Sequence, residues 1–321
     1  MFGDTFLRLG KGKVVCCIEK WNTKMNDRTL VYTWCDSNYS VFIPIFCASL
    51  LSTNSNIDIE IGTSLPQLYE SQSIAIDKLR KLHPDAQILI KTGMYKEAGR
   101  KRIVWENEIS VQSATVRFIT NPSIQDRYTY ISDIDIVSLD KDFYESHIRD
   151  MQEHNRTYSN IVRKDTHRLS GLHFCETKYQ YPLDLQGVDI TGWNEVILMQ
   201  VTQKRQKLDY ETTWRPVHGI HMSANRLRVE GTTNIVGWFP KEWDYCEDKD
   251  NYKKKWFEFK KTQEFECVKS TIDDCVVGEL VQKLEHYYRY RFFLESRKVV
   301  LAKISWICGK IMRKIKKVLH K

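Results

Sequence analysis

Two carboxylates, Asp133 and Asp135, stand one residue apart at the end of an apolar stretch that reads YTYISDI from Tyr128. If a strand breaks at this point, both side chains can address one hard cation, and oxygen donors suit Mg²⁺ or Mn²⁺. Such a cation bridges the phosphates of a nucleoside diphosphate and offsets charge building on a leaving group. The plain alternative is a pair of solvated acids. Apolar residues flank this pair on both sides, however, and an unpartnered carboxylate beside a core is costly. A second cluster, Val217-His218-Gly219-Ile220-His221, adds two imidazoles. Imidazole with carboxylates is a workable Mn²⁺ set; one structural and one exposed histidine is the other interpretation. No third soft ligand stands at zinc spacing, so zinc is the weaker fit.

The elements that must position these groups alternate in type. Thr29–Cys35 reads as a buried strand stopping at Asp36-Ser37-Asn38, and Phe42–Leu51 as an apolar helix. Asp58–Ile61 is a short strand and Ser73–Leu82 a helix that stops near His83-Pro84. Gln87–Lys91 is a third strand, Ser113–Thr120 a helix or helix end, and Tyr128–Ile134 a strand running into the acidic pair. This rhythm predicts an α/β fold with a largely parallel sheet. In such sheets ligands sit beyond the carboxyl ends of the strands, where Asp36 and Asp133/Asp135 both fall. Beyond residue 140 the pattern predicts helices over Asp140–Glu153 and Asn194–Val201. It predicts mixed loop and strand over Arg163–Glu176, a strand or strand end over Arg215–His221, and a charged surface excursion over Lys241–Lys255.

The 321-residue chain carries a net charge of +8, 42% apolar and 28% charged residues, as a folded protein does. The excess is local: Ser296–Lys321 holds nine Lys or Arg and no acid, and the remainder comes to about −1. That weakens a whole-protein nucleic-acid reading and predicts no nucleic-acid partner. Nine scattered cysteines without a C-x-x-C pair predict free thiols in a reducing compartment. The N-terminus reads as lacking a signal peptide, and no apolar run reaches spanning length, which predicts a cytoplasmic protein. From Val299, apolar residues recur at spacings of three and four through Leu319, with Lys and Arg mostly on the other faces. This pattern predicts an amphipathic helix lying on an anionic membrane surface; a helix packed on the domain with a solvated basic edge, or one that meets RNA, is the alternative.

The ordered set Thr33-Trp34-Cys35-Asp36-Ser37-Asn38-Tyr39, Arg117, YISDIDIV, Ser170-Gly171, Asn194-Glu195 and a late histidine resembles the retaining glycosyltransferases of the family 8 type. The resemblance covers about residues 29 to 225. It implies a GT-A fold, a single Rossmann-like nucleotide-binding domain with a mixed sheet. The chain then divides into an N-terminal extension (1–28), a catalytic domain (29–275) and a helical, basic C-terminal region (276–321). By position, the resemblance implies that Asp36, Asn38 and Tyr39 hold the base and ribose of a uridine nucleotide, and that Arg117 contacts the donor. It implies Asp133 and Asp135 as metal ligands, the first also touching the sugar, with His218 or His221 as the third. Ser170-Gly171 matches a turn near the donor sugar, and Asn194-Glu195 a polar pair near the anomeric carbon. The chain departs from the family in having Leu169-Ser170-Gly171 for Asn-Ala-Gly, Asn-Glu for Asp-Gln, and no lysine at the expected diphosphate position, although Arg226 is close.

The function so implied is metal-dependent transfer from a nucleotide-sugar, a UDP-sugar, to a glycan or lipid-linked acceptor. The oxocarbenium-like transition state calls for negative groups near the ring, and the leaving diphosphate calls for the metal and Arg117. Glu195 suits either a nucleophile or a base. A nucleotidyltransferase would open with a Gly-rich basic loop where this chain has Cys35-Asp36-Ser37-Asn38. A non-catalytic membrane adaptor with a degenerate transferase fold would lack metal-dependent donor affinity.

Overall fold

The computed structural model describes residues 26–99, 101–209, 218–222, 249–273, 276–282 and 284–285. The expected amphipathic tail from Val299, nearly all of the 1–28 extension, and Arg226 lie outside the described residues.

The central element is β1 (Asn26–Cys35), buried on both faces from Thr29 onward, as a strand inside a parallel sheet must be. It pairs in parallel with β2 (Ile57–Thr63) on one side and, past two short hairpin strands, with β6 (Asp126–Ile131) on the other. The hairpin is β4 (Arg102–Val104) with β5 (Ser110–Gln112). Strand β3 (Ile88–Lys91) extends the sheet in parallel beyond β2. After β6 the chain makes β7 (Ile136–Ser138), β8 (Tyr158–Ser159), the pair β9 (Val162–Arg163) and β10 (Arg168–Leu169), and β11 (His173–Glu176). β11 runs antiparallel beside β6, and β8 antiparallel beside β11. The result is a mixed six-stranded sheet of order β3-β2-β1-β6-β11-β8. The α/β expectation is met, with an antiparallel edge added to the parallel core.

Helix α1 (Ile43–Thr53) is buried from Ile43 through Leu51, and its sequence IPIFCASLLST is apolar nearly all round, the composition of a helix covered on every side. It lies against the sheet under α2 (Glu70–Leu82) and a late helix, Gln263–Ile272. Residues 276–282 continue as helix, and Val277, Leu280, Val281 and Leu284 join the same core. Helix α4 (Tyr144–Glu153) packs into this same core through Met151, whereas the short α3 (Val116–Ile119), α5 (Thr177–Gln180) and α6 (Asn194–Gln203) lie across the sheet. Leu30, Tyr32 and Ile131 pack with Leu198 and Met199 on that face.

The helix end expected over Ser113–Thr120 is present, a 3-10 turn over Ser113–Thr115 running into Val116–Ile119. Two expectations need correction. The strand expected over Tyr128–Ile134 ends at Ile131, because the chain turns at Ser132 and leaves the main sheet as β7. Of the charged stretch Lys241–Lys255 expected as a surface excursion, 241–248 lie outside the described residues, and from Lys249 it is instead a helix that ends at Phe259, with Trp256, just past the stretch, fully buried. Tyr252, Trp256 and Phe259 form an apolar stripe at helical spacing, which the surrounding lysines masked.

One buried charge in the sheet is fully partnered. Glu60, 1% exposed, accepts from the backbone amides of Ser123 and Ile124 at 2.7 and 2.8 Å and pairs with Lys91 at 2.6 Å. Cys35, Cys47, Cys175 and Cys267 are free, the first three buried. Among the described residues no helix is long and apolar enough to cross a membrane.

Candidate active site

The acidic pair sits at the corner where β6 ends. Ser132 keeps one more ladder bond, its amide donating to the Tyr32 carbonyl at 3.0 Å, and the chain then turns through Asp133 and Asp135 into β7. A further strand, β12 (Gly219–His221), pairs antiparallel with β7, setting His221 opposite Ile136 and Gly219 opposite Ser138. The Met222 amide donates to the Asp135 carbonyl at 2.6 Å, locking that register. Asp133, Asp135 and His221 thereby offer ligand atoms all within 4.8 Å of one another. His221 Nε2 lies 3.0 Å from Asp135 Oδ1.

Gly219 is required by this pairing. A Cβ there would overlap the Val137 carbonyl oxygen, so β12 approaches β7 more closely than any side chain permits.

His218 does not join the cluster. It is 6% exposed, and its Nε2 meets His147 Nε2 at 2.7 Å, while its Nδ1 faces Asp140 at 3.6 Å. Burial holds His147 and His218 below the usual imidazole range, so the pair is neutral and one Nε2–H donates to the other. Burial raises the Asp140 carboxyl, but hydrogen bonds from His218, Lys255 and Tyr252 outweigh it and leave the group at about 2. Of the two candidate histidines, only His221 faces the acids, because an odd offset along an extended chain points the two rings to opposite faces.

Asp36 directly follows β1 and is 4% exposed. Burial raises its pKa, opposed by the Ser113 hydroxyl at 3.0 Å and the Tyr39 amide at 3.2 Å. A cavity of about 370 Å³ runs from Asp36 and Tyr39, past Trp34, Ser113 and Arg117, to Asp133, Asp135 and His221. Asn38 is exposed on the turn after Asp36. The loop before the β4–β5 hairpin closes one side: Glu97 accepts from the Ser37 amide at 2.8 Å and the Ser64 hydroxyl at 2.6 Å. Lys101, at the start of the hairpin, lines the same cavity and supplies a cation that sequence reasoning missed.

Arg117, from α3, is 4% exposed and pairs with Asp133 at 2.5 Å. Its Nη2 lies 3.2 Å from where a Cβ on Gly171 would stand, so Gly171 admits the guanidinium. The Gly171 amide donates to Glu195 Oε1 at 3.1 Å, and Arg168 holds Glu195 Oε2 at 2.7 Å. Ser170 is fully buried; its backbone is held on both sides by the Asn160 side chain, at 3.1 and 2.9 Å, so its part is to fix the turn. The Asn194 side chain accepts from the Glu195 amide at 2.7 Å, at the first turn of α6. Arg168, two residues before Ser170, carried no recognisable signal; it acquires a role only because β10 lies beside α6.

No family model and no curated protein matches the chain. Among solved structures, the mannosyltransferase PcManGT from Pyrobaculum calidifontis, in complex with GDP-Man and Mn²⁺, aligns with TM-score 0.41 and 10% identity over 84% of each chain. The glycosyltransferase GlyE of Streptococcus pneumoniae TIGR4 aligns with TM-score 0.39 and 10% identity, over 76% of this chain and 63% of that one. The galactosyltransferase LgtC, in complex with donor and acceptor sugar analogues, aligns with TM-score 0.34 and 11% identity, over 53% and 69%. Likeness this distant bears on none of the residue assignments, which rest on the geometry above.

Proposed function

We propose that the protein is a glycosyltransferase of GT-A type, moving a sugar from a nucleotide-sugar donor, a UDP-sugar, to a glycan or lipid-linked acceptor with retention. The observation that carries this reading is the convergence of Asp133, Asp135 and His221 on the floor of a cavity that has Asp36 and Tyr39 along its other side. Two carboxylates and one imidazole form a hard-to-borderline donor set, which fits Mn²⁺ or Mg²⁺. The metal, when bound, neutralises charge on the leaving diphosphate.

The chain's own residues divide the remaining work. Asp36, the turn at Asn38 and Tyr39 hold the base and ribose. Arg117 and Lys101 add positive charge along the diphosphate. Arg117 also fixes Asp133, through which metal and sugar would both be oriented. Glu195 has both oxygens engaged, by Gly171 and Arg168. That suits a fixed negative field beside an oxocarbenium-like ring, supporting front-side attack over a mobile base. Asn194 and the Ser170-Gly171 turn border the sugar. The basic sequence 296–321 would recruit the enzyme to anionic lipid from the cytoplasmic side.

The test is nucleotide release from a panel of UDP-sugars by the purified protein, with Mn²⁺ and with a chelator. Metal-dependent release of UDP is expected. No release and no donor binding under either condition would reject the reading.

A further inference from the structure

Trp193 is 56% exposed, although it stands directly before Asn194 and Glu195. A large aromatic ring left open to solvent is more informative than a buried one. Its backbone is not loose: the Trp193 carbonyl accepts from the amides of Val196 and Ile197, both at 3.0 Å, as the first residue of the α6 cap. The Arg168 guanidinium lies over the indole at 4.5 Å from the ring centre. Arg168 in turn holds Glu195, Glu195 holds the Gly171 amide, Gly171 makes room for Arg117, and Arg117 pairs with Asp133. An unbroken run of contacts thus links the acidic pair to an exposed aromatic plate.

Resting on the glycosyltransferase reading, we infer that Trp193 is an acceptor platform, on which a pyranose ring of a glycan stacks with its hydroxyls toward the centre of transfer. The C–H face of a pyranose is apolar and flat, and an indole fixed in orientation offers a matching surface at little entropic cost. The surroundings favour a sugar over a lipid chain. Thr191 and Asp189 are exposed on the loop leading into Trp193, with Asp189 held by the Thr191 amide and hydroxyl at 3.0 and 2.6 Å, and Asn194 follows it. Polar groups around an aromatic face match hydroxyls around a ring, whereas an acyl chain needs continuous apolar surface.

The experiment pairs sugar binding with donor cleavage by water, which needs no acceptor. Lactose, cellobiose and maltose are titrated by calorimetry into the protein with UDP and Mn²⁺. Wild type should bind at least one saturably, Trp193→Ala at least roughly tenfold more weakly, and Trp193→Phe within a few-fold of wild type. Cleavage of the donor by water should stay within about twofold of wild type in both variants. Parallel loss of cleavage and sugar binding in Trp193→Ala would mean that the indole merely clamps Arg168 and Glu195, overturning the inference. No binding of any of the three sugars by wild type would overturn it too. Failure of the enzyme reading has a different signature: no donor cleavage by wild type, with Trp193-dependent sugar binding intact.

Discussion

His221 Nε2 and Asp135 Oδ1 lie 3.0 Å apart because β12 pairs with β7 immediately beyond the corner that carries the acidic pair. The proposed metal centre is therefore a product of strand pairing, and its tests reach both partners.

Asp135→Asn should lower donor cleavage by about 10²-fold or more while the protein still folds. Thermal melts with and without Mn²⁺ check the binding half: wild type should gain stability from Mn²⁺ and the variant should not. Wild-type release of UDP by the variant would remove Asp135 from the metal set.

Arg117→Ala should reduce the rate more than it reduces stability. The Asp133 side chain is 29% exposed, so water can replace part of the lost ion pair, whereas a donor diphosphate would lose a directed cation. Unfolding midpoints and steady-state rates, measured together, decide. Marked unfolding with normal donor affinity in the folded fraction would make Arg117 structural.

Gly219→Ala adds one methyl to a position with no room for it against Val137. We expect Mn²⁺ affinity to fall at least about tenfold, because β12 must lift and carry His221 away from Asp135. Metal titration followed by Mn²⁺ paramagnetic resonance reads this directly; unchanged affinity would mean that the pairing tolerates the methyl.

Stability should fall as pH drops below about 6.5. His147, His173 and His218 are buried with folded pKa values below the ordinary imidazole value, so the unfolded chain takes up protons that the folded one refuses. Their stabilising contribution is present above the unfolded pKa and lost as pH falls beneath it. Asp126 acts oppositely: burial and the Asp58 carboxylate push it up to about 7, so it offsets roughly one histidine between about pH 4 and 7. Urea midpoints from pH 7 to 5 should decline, and His147→Gln should flatten the slope by about one proton.

Removing Val299–Lys321 should leave donor cleavage nearly unchanged but weaken binding to anionic vesicles and transfer to a lipid-linked acceptor. Vesicle binding by the full chain should weaken as salt rises, since the Debye length is about 8 Å at physiological ionic strength. Truncation from residue 276 should instead unfold the protein, because Val277, Leu280, Val281 and Leu284 lie in the core beside α1. Equal co-sedimentation of full and shortened chains would discard the membrane role.

The sequence alone determined the β1-α1-β2-α2-β3 frame and the strand-end acids. Those features are local: apolar runs such as that of Ile43–Leu51 and the stops at Asp36 and Asp133 report burial and chain reversal within a few residues. Short pieces escaped it. The three-residue strands β4 and β5, which bring Lys101 to the cavity, are too brief to carry a period. The choice between His218 and His221, the clasp of Arg168 on Glu195, and the outward face of Trp193 belonged to the tertiary structure. Each depends on contacts between residues distant in the chain, made by strand and helix packing, and no local pattern of side chains encodes which distant partner a residue will meet.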